Sequence, residues 1–167
     1  MVTIDEIAAR HRTLAVEGCD GAGKTTLALG LAHTHDFAVV HSPRTPDHLD
    51  LASRYRELLG QPGRLLLDRC FLSELVYGPL LRGRSRINWA QAIDLAEAVV
   101  DRGGMFVHLT APPAVIRRRL HDRDGEAPEL EEVSALVTSY QRAFETLAAY
   151  CPVTTIDTSI TALPSAG

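Results

Sequence analysis

One eight-residue segment, Gly18-Cys19-Asp20-Gly21-Ala22-Gly23-Lys24-Thr25, constrains this chain more than any other. It fits G-x-x-x-x-G-K-[ST], and its context is that of a strand-to-helix turn. The apolar run Leu14-Ala15-Val16 precedes it and ends at Glu17. A helical pattern with Leu27 and Leu31 on one face follows from Thr25 to His35. Gly18, Gly21 and Gly23 let the backbone curl, so that successive N–H groups point inward. The start of the helix adds a partial positive charge at the same place. Such a turn binds phosphate groups. Lys24 is placed to reach them, and the Thr25 hydroxyl is a ligand for Mg²⁺. The implied ligand is a nucleoside triphosphate such as ATP, held by residues 18 to 26, Ala22 and Thr26 included.

The rest of the chain fits an α/β fold. Further apolar runs lie at Phe37-Ala38-Val39-Val40, Leu65-Leu66-Leu67, Met105 to Leu109, and Val153 to Ile156. Helical patterns separate them, and near-continuous apolar strands between helices indicate a parallel sheet covered on both faces. The segment Ser73 to Leu81 holds Pro79 and reads as a short or kinked helix. Asn88 is a cap for Trp89 to Arg102. Pro113 to Arg119 reads as a short helix and Leu130 to Tyr150 as a long one. Residues 121 to 128 are expected to be mobile, and the small, polar tail after Thr158 to fray. A length of 167 residues fits one domain.

Composition narrows the function. The 17 Lys+Arg against 21 Asp+Glu leave a net charge of −4, which argues against a non-specific nucleic-acid binder. No apolar run approaches the roughly 20 residues of a membrane span. The mixed N-terminus has no apolar signal core, and Cys19, Cys70 and Cys151 lack zinc-ligand spacing. A reduced, cytoplasmic protein is expected.

A second motif follows the third apolar run. Asp68 closes Leu65-Leu66-Leu67, and strand C-termini gather at the ligand crevice of a parallel sheet. Asp68 is there a candidate to hold Mg²⁺ or accept a proton, and Arg69 to neutralise phosphate charge. His108, inside an apolar run, reads as a core histidine.

Two blocks resemble a known family. Glu17 to Thr26 is similar to the E-G-x-D-G-x-G-K-[ST]-T opening of thymidylate kinases, and Asp68 to Gly78 to their D-R-[YH]-x-x-S-x-x-A-Y segment. The resemblance implies a P-loop three-layer fold: a five-stranded parallel sheet in order 2-3-1-4-5, flanked by helices, with a small helical lid over about residues 114 to 128. It implies transfer of the ATP γ-phosphoryl group to a deoxynucleoside monophosphate, dTMP or a related pyrimidine, and it suggests a homodimer. Asp20 then matches a contact to the acceptor sugar. Asp68 and Arg69 match the acid and arginine that hold Mg²⁺ and phosphates. Ser73 and Tyr77 match positions lining the acceptor pocket.

This chain departs from the family after the second apolar run. It reads His41-Ser42-Pro43-Arg44-Thr45-Pro46 in place of R-E-P-G-G-T, which leaves Arg44 to grip the acceptor phosphate without the acid or the glycines. The missing acid tilts the reading away from a deoxynucleoside kinase, whose hydroxyl acceptor needs a base there. A kinase of a modified pyrimidine nucleotide also fits these residues, and a non-catalytic ATP-binding module fits them less well. Gly21 stands where some members place a loop arginine, so the cation must come from Arg117, Arg118, Arg119 or Arg123. Arg119 and Arg123 are four apart and share a face if their helix continues. Arg119 and Arg123 are the catalytic candidates, and Arg117 an ATP-binding one.

Overall fold

The computed structural model describes residues 2–41, 46 and 49–164. Among the described residues seven helices and five strands follow one another: α1 (Ile4–Arg10), β1 (Thr13–Glu17), α2 (Lys24–His35), β2 (Ala38–His41), α3 (Leu51–Leu59), β3 (Leu65–Asp68), α4 (Leu72–Arg82), α5 (Trp89–Asp101), β4 (Gly104–Thr110), α6 (Pro113–Asp124), α7 (Leu130–Leu147) and β5 (Val153–Asp157). The sheet order is β2-β3-β1-β4-β5, and every pairing is parallel.

Burial explains this order. Every residue of β1 and β3 is buried, as is most of β4, whereas β2 and β5 are largely half-exposed edges. The apolar runs Leu14-Ala15-Val16 and Leu65-Leu66-Leu67 therefore occupy the interior of the sheet, covered on both faces. Helix α2 packs against β1, β2 and β3, and α5 packs against β1 and β4 with α3 beyond it. Helix α7 packs against α6 and α4. Although β1 and β3 are neighbours, the chain leaves β1 for the β2 edge and leaves β3 for β4 on the other side of β1. The crevice beyond their C-terminal ends is a topological switch point, where open α/β sheets bind ligands.

Two local expectations are corrected, those for α6 and for the tail, while the helix expected over Ser73 to Leu81 is present with Pro79 inside it. Helix α6 does not stop at Arg119 but continues to Asp124, so much of the segment expected to be mobile is helical; Gly125, in the left-handed region, ends it. Helix α4 runs past Pro79 to Arg82, its last turn closed by Gly83 N–H on the Pro79 carbonyl. The tail after Thr158 does not fray within the described residues. Leu163 packs on the core, and a Cβ at Gly30 would collide with the Pro164 carbonyl, so only glycine lets tail and α2 approach this closely. Sequence reading also passes over α1, which Thr3 and Glu6 start with a reciprocal capping box. Among the described residues no helix is long and apolar enough to cross a membrane.

His108 on β4 is buried, stacks on Phe144 with ring centroids 4.3 Å apart, and has Thr155 Oγ1 3.5 Å from its Nδ1. Burial pushes its pKa down from 6.5 to about 4. Between those values the unfolded chain takes up a proton that the folded chain refuses. The His108 contribution is thus fully present above pH 6.5 and is lost as pH falls toward 4, by at most about 3 kcal/mol. Urea unfolding at about pH 7 and about pH 4.5 should show this loss in the wild type and a smaller one in His108→Gln. Equal losses in the two proteins would remove His108 as its source.

Candidate functional site

The site begins where β1 runs out. At Gly18 the chain passes so close to β4 that a Cβ would strike the Leu109 carbonyl. At Gly23, with φ 103°, it turns left-handed into α2 with no side-chain cap. The first amides of α2 are left without a capping side chain, as an anion-binding helix start requires. Lys24 lies back along this loop, its Nζ donating to the carbonyls of Gly18 at 2.7 Å and Cys19 at 2.9 Å. Burial lowers its pKa, and nearby Glu17 works the other way. Thr25 and Thr26 are exposed on the first turn.

Asp68 ends β3, in register with Val16 of β1 and His41 of β2. It is buried, and His41 Nδ1 lies 2.8 Å from its Oδ2. The next residue, Arg69, has φ 72°, left-handed backbone that a non-glycine residue rarely adopts. Arg69 N–H still donates to the Val16 carbonyl, while the turn lays its guanidinium over the Tyr77 ring, 5.6 Å from the centroid. Strained backbone of this kind marks functional positions.

A buried carboxylate couples the loop to α4. Glu17 is wholly enclosed and accepts hydrogen bonds from Cys70 N–H at 2.7 Å, Ser73 N–H at 3.1 Å and the Ser73 hydroxyl. It caps α4, whose own N-cap residue Phe71 supplies no side-chain bond. Desolvation raises the Glu17 pKa, while these hydrogen bonds and Lys24 oppose the rise. The Ser73 hydroxyl also meets Tyr140 Oη at 3.0 Å. Ser73 borders the cleft, but its hydroxyl is committed to Glu17 and Tyr140.

Beyond the loop opens a cleft of about 1320 Å³. Asp20, Arg69, Tyr55, Tyr77, Arg82 and Arg86 are among its lining side chains. Tyr77 Oη accepts the Asp20 N–H at 3.3 Å, joining cleft wall to phosphate loop. Arg82 pairs with Glu74, and Arg86 donates to the Pro46 and Leu49 carbonyls.

Helix α6 overhangs the loop. Because it continues past Arg119, Arg119 and Arg123 share a face and both reach the loop. Arg119 donates to the Gly21 carbonyl at 3.2 Å, Thr158 Oγ1 at 2.8 Å and the Thr158 carbonyl at 3.0 Å. Arg123 grips Asp20 with two bonds, of 2.9 and 3.0 Å. Those bonds hold the Asp20 pKa below its ordinary value. Arg117 is not brought to the loop, since its Nε donates to the Pro128 carbonyl. Arg44 lies outside the described residues. Sequence reading misses the roles of Glu17, His41, Tyr140 and Thr158. Glu17 is visible there only as a motif letter, and the other three carry no local signal.

No family model matches the chain, and no curated protein matches it. Solved structures do. The YorR protein of Bacillus subtilis, in complex with phosphorylated GDP, superposes with a TM-score of 0.77 at 21% identity, covering 89% of this chain and 86% of that one. The fold is that of P-loop kinases. Deoxyadenosine kinase from M. mycoides with bound dCTP gives 0.57 at 15% identity, covering 89% and 91%. A gluconokinase from Sinorhizobium meliloti gives 0.54 at 18%, covering 89% and 83%.

The Glu17–Ser73–Tyr140 network is testable through stability. Ser73→Ala removes a donor from a buried carboxylate and the partner of a buried phenol, and should cost about 1–3 kcal/mol in urea unfolding. Tyr140→Phe in the Ser73→Ala background should add little, because the shared bond is already gone. Additive losses would mean that the two residues act separately.

Proposed function

We propose that this chain transfers the γ-phosphoryl group of ATP to a nucleoside monophosphate, with dTMP or a related pyrimidine deoxynucleotide the first candidate. The observation that carries the reading is one cleft that meets the loop of residues 18 to 25 at Cys19 and Asp20, beside Arg69, and is lined also by Arg82 and Arg86. A donor on the loop and an acceptor in the cleft would meet at that junction. The fold it shares with the YorR protein, solved with phosphorylated GDP, supports a nucleotide ligand.

Phosphoryl transfer depends on positioning and on charge stabilisation. The loop amides and Lys24 hold the donor phosphates. Lys24 lies along the loop on the Gly18 and Cys19 carbonyls and would exchange those bonds for phosphate oxygens. Asp68 and the Thr25 hydroxyl are hard oxygen donors at one crevice, and they fit an ion that keeps most of its water. They would hold Mg²⁺, which neutralises charge on the bridging phosphates. Arg69, with its guanidinium over the Tyr77 ring, would bridge donor and acceptor phosphates. Helix α6 brings Arg119 and Arg123 over the loop, where they exclude water, the competing acceptor. Arg44 remains the candidate for the outer acceptor phosphate. Arg117, tied to Pro128, has at most a supporting part in donor binding.

A second reading rests on the pairing of His41 with Asp68. A nucleoside hydroxyl must lose a proton during transfer, and a carboxylate backed by an imidazole could take it. That second reading is a deoxynucleoside kinase.

Incubation with ATP and Mg²⁺ against panels of monophosphates and nucleosides, with chromatography of the products, separates the two. Monophosphates should yield diphosphates and ADP, and nucleoside phosphorylation would favour the deoxynucleoside kinase. Lys24→Ala should lower turnover by a factor on the order of 10²–10³ with the fold intact by circular dichroism. Wild-type turnover in Lys24→Ala would refute the role given to the loop.

A further inference from the structure

Arg123 is the most heavily committed cation over the phosphate loop. Its Nε and Nη2 donate to Asp124 at 2.7 Å each, and its Nη1 and Nη2 donate to Asp20 at 2.9 and 3.0 Å. A guanidinium has five N–H donors in one plane, and two carboxylates take up both of its edges. Arg123 cannot grip a phosphate while both bonds to Asp20 persist. Asp124 is its neighbour in α6 and moves with it, whereas Asp20 belongs to the phosphate loop. The bond that must break is therefore the one between α6 and the loop.

Asp20 also faces the other way. It lines the cleft, and its N–H is held by Tyr77 of the cleft wall. One carboxylate thus stands between the two proposed ligands. Arg119, one turn earlier, is anchored by Gly21 and Thr158 without any carboxylate, whereas Arg123, at the end of α6, reaches the loop through Asp20.

We infer that the Asp20–Arg123 pair is a latch that keeps Arg123 off the donor phosphates until a ligand in the cleft engages the Asp20 carboxylate. This inference rests on the kinase reading above. It adds that the two sites are coupled, and that ATP bound alone meets an incomplete set of cations. Both partners are about half exposed, with side-chain accessibilities of 54% and 51%, so the latch is weak enough to be opened by binding.

Hydrogen exchange over residues 113–124 in the ligand-free protein, together with titration of a non-hydrolysable imido analogue of ATP with Mg²⁺, tests this. Asp20→Asn and Arg123→Gln should both speed exchange at the C-terminal end of α6. Asp20→Asn should bind the analogue about two- to fivefold tighter, the range an exposed ion pair allows. In the Arg123→Gln background the same substitution should bring no tightening. If it tightens binding there as well, the effect is general charge repulsion and the latch is overturned. Unchanged exchange in Asp20→Asn also overturns it. Failure of the wild type to bind any nucleotide overturns the kinase reading, and the coupling with it.

Discussion

A fully buried carboxylate fixes the geometry at the C-terminal end of the sheet, where the candidate site lies. Glu17 is the last residue of the central strand, and the phosphate loop starts at the next residue. An ionised carboxylate in that position is costly unless hydrogen bonds replace its hydration. Cys70, Ser73 and the Ser73 hydroxyl supply them, and Lys24 supplies a nearby opposite charge. Those partners belong to the turn after β3 and the start of α4. The requirement that Glu17 be satisfied therefore locks the phosphate loop to the chain that carries Asp68 and Arg69. The left-handed turn at Arg69 is part of the same arrangement. Between Asp68 and Ser73 the chain must leave β3, keep its bond to Val16, and deliver two amides to Glu17.

The candidate site balances its own charges. Arg123 is paired with two carboxylates of the same chain, Asp20 on the loop and Asp124 on the overhanging helix. Lys24 is solvated by carbonyls of the loop itself. Phosphate would not enter a vacant hole there. It would displace an internal network, and its charge would compete with Asp20 for Arg123. Affinity and selectivity then depend on which internal bonds a ligand replaces, as well as on the bonds it makes.

The fold is legible in the sequence because its signals are local and redundant. The parallel α/β architecture follows from apolar runs and helical spacing, and the strand order is what the resemblance of the two motifs implies. Boundaries are less legible where tertiary contacts decide. Nothing in Leu120 to Asp124 alone says that the helix continues, but Leu120 is buried and Arg123 meets Asp20 across 103 positions of sequence. The tail reads as frayed because its residues are small. Gly30 shows that smallness on both sides is what lets it dock. Of the site, the backbone anchors Lys24, Asp68 and Arg69 can be read directly. His41 and Tyr140 cannot, since their meaning comes from cross-strand register and from packing of α7 on α4.

The pairing of His41 with Asp68 bears on how the two acceptor chemistries divide. A monophosphate is ionised before it binds, so it calls for cations and gains nothing from a base. A hydroxyl needs a base and is indifferent to distant arginines. The cleft is lined by Arg69, Arg82 and Arg86, and the Asp68–His41 pair adjoins Arg69 in the chain, so neither chemistry is excluded by residue type. Commitment of those groups separates them. Arg82 is turned to Glu74 and Arg86 to backbone carbonyls, leaving Arg69 as the cation held over the junction by an aromatic ring rather than by a carboxylate. A guanidinium held that way keeps its N–H edges for oxygen anions. On the proposed kinase reading, this arrangement suits an acceptor that arrives with its own negative charge.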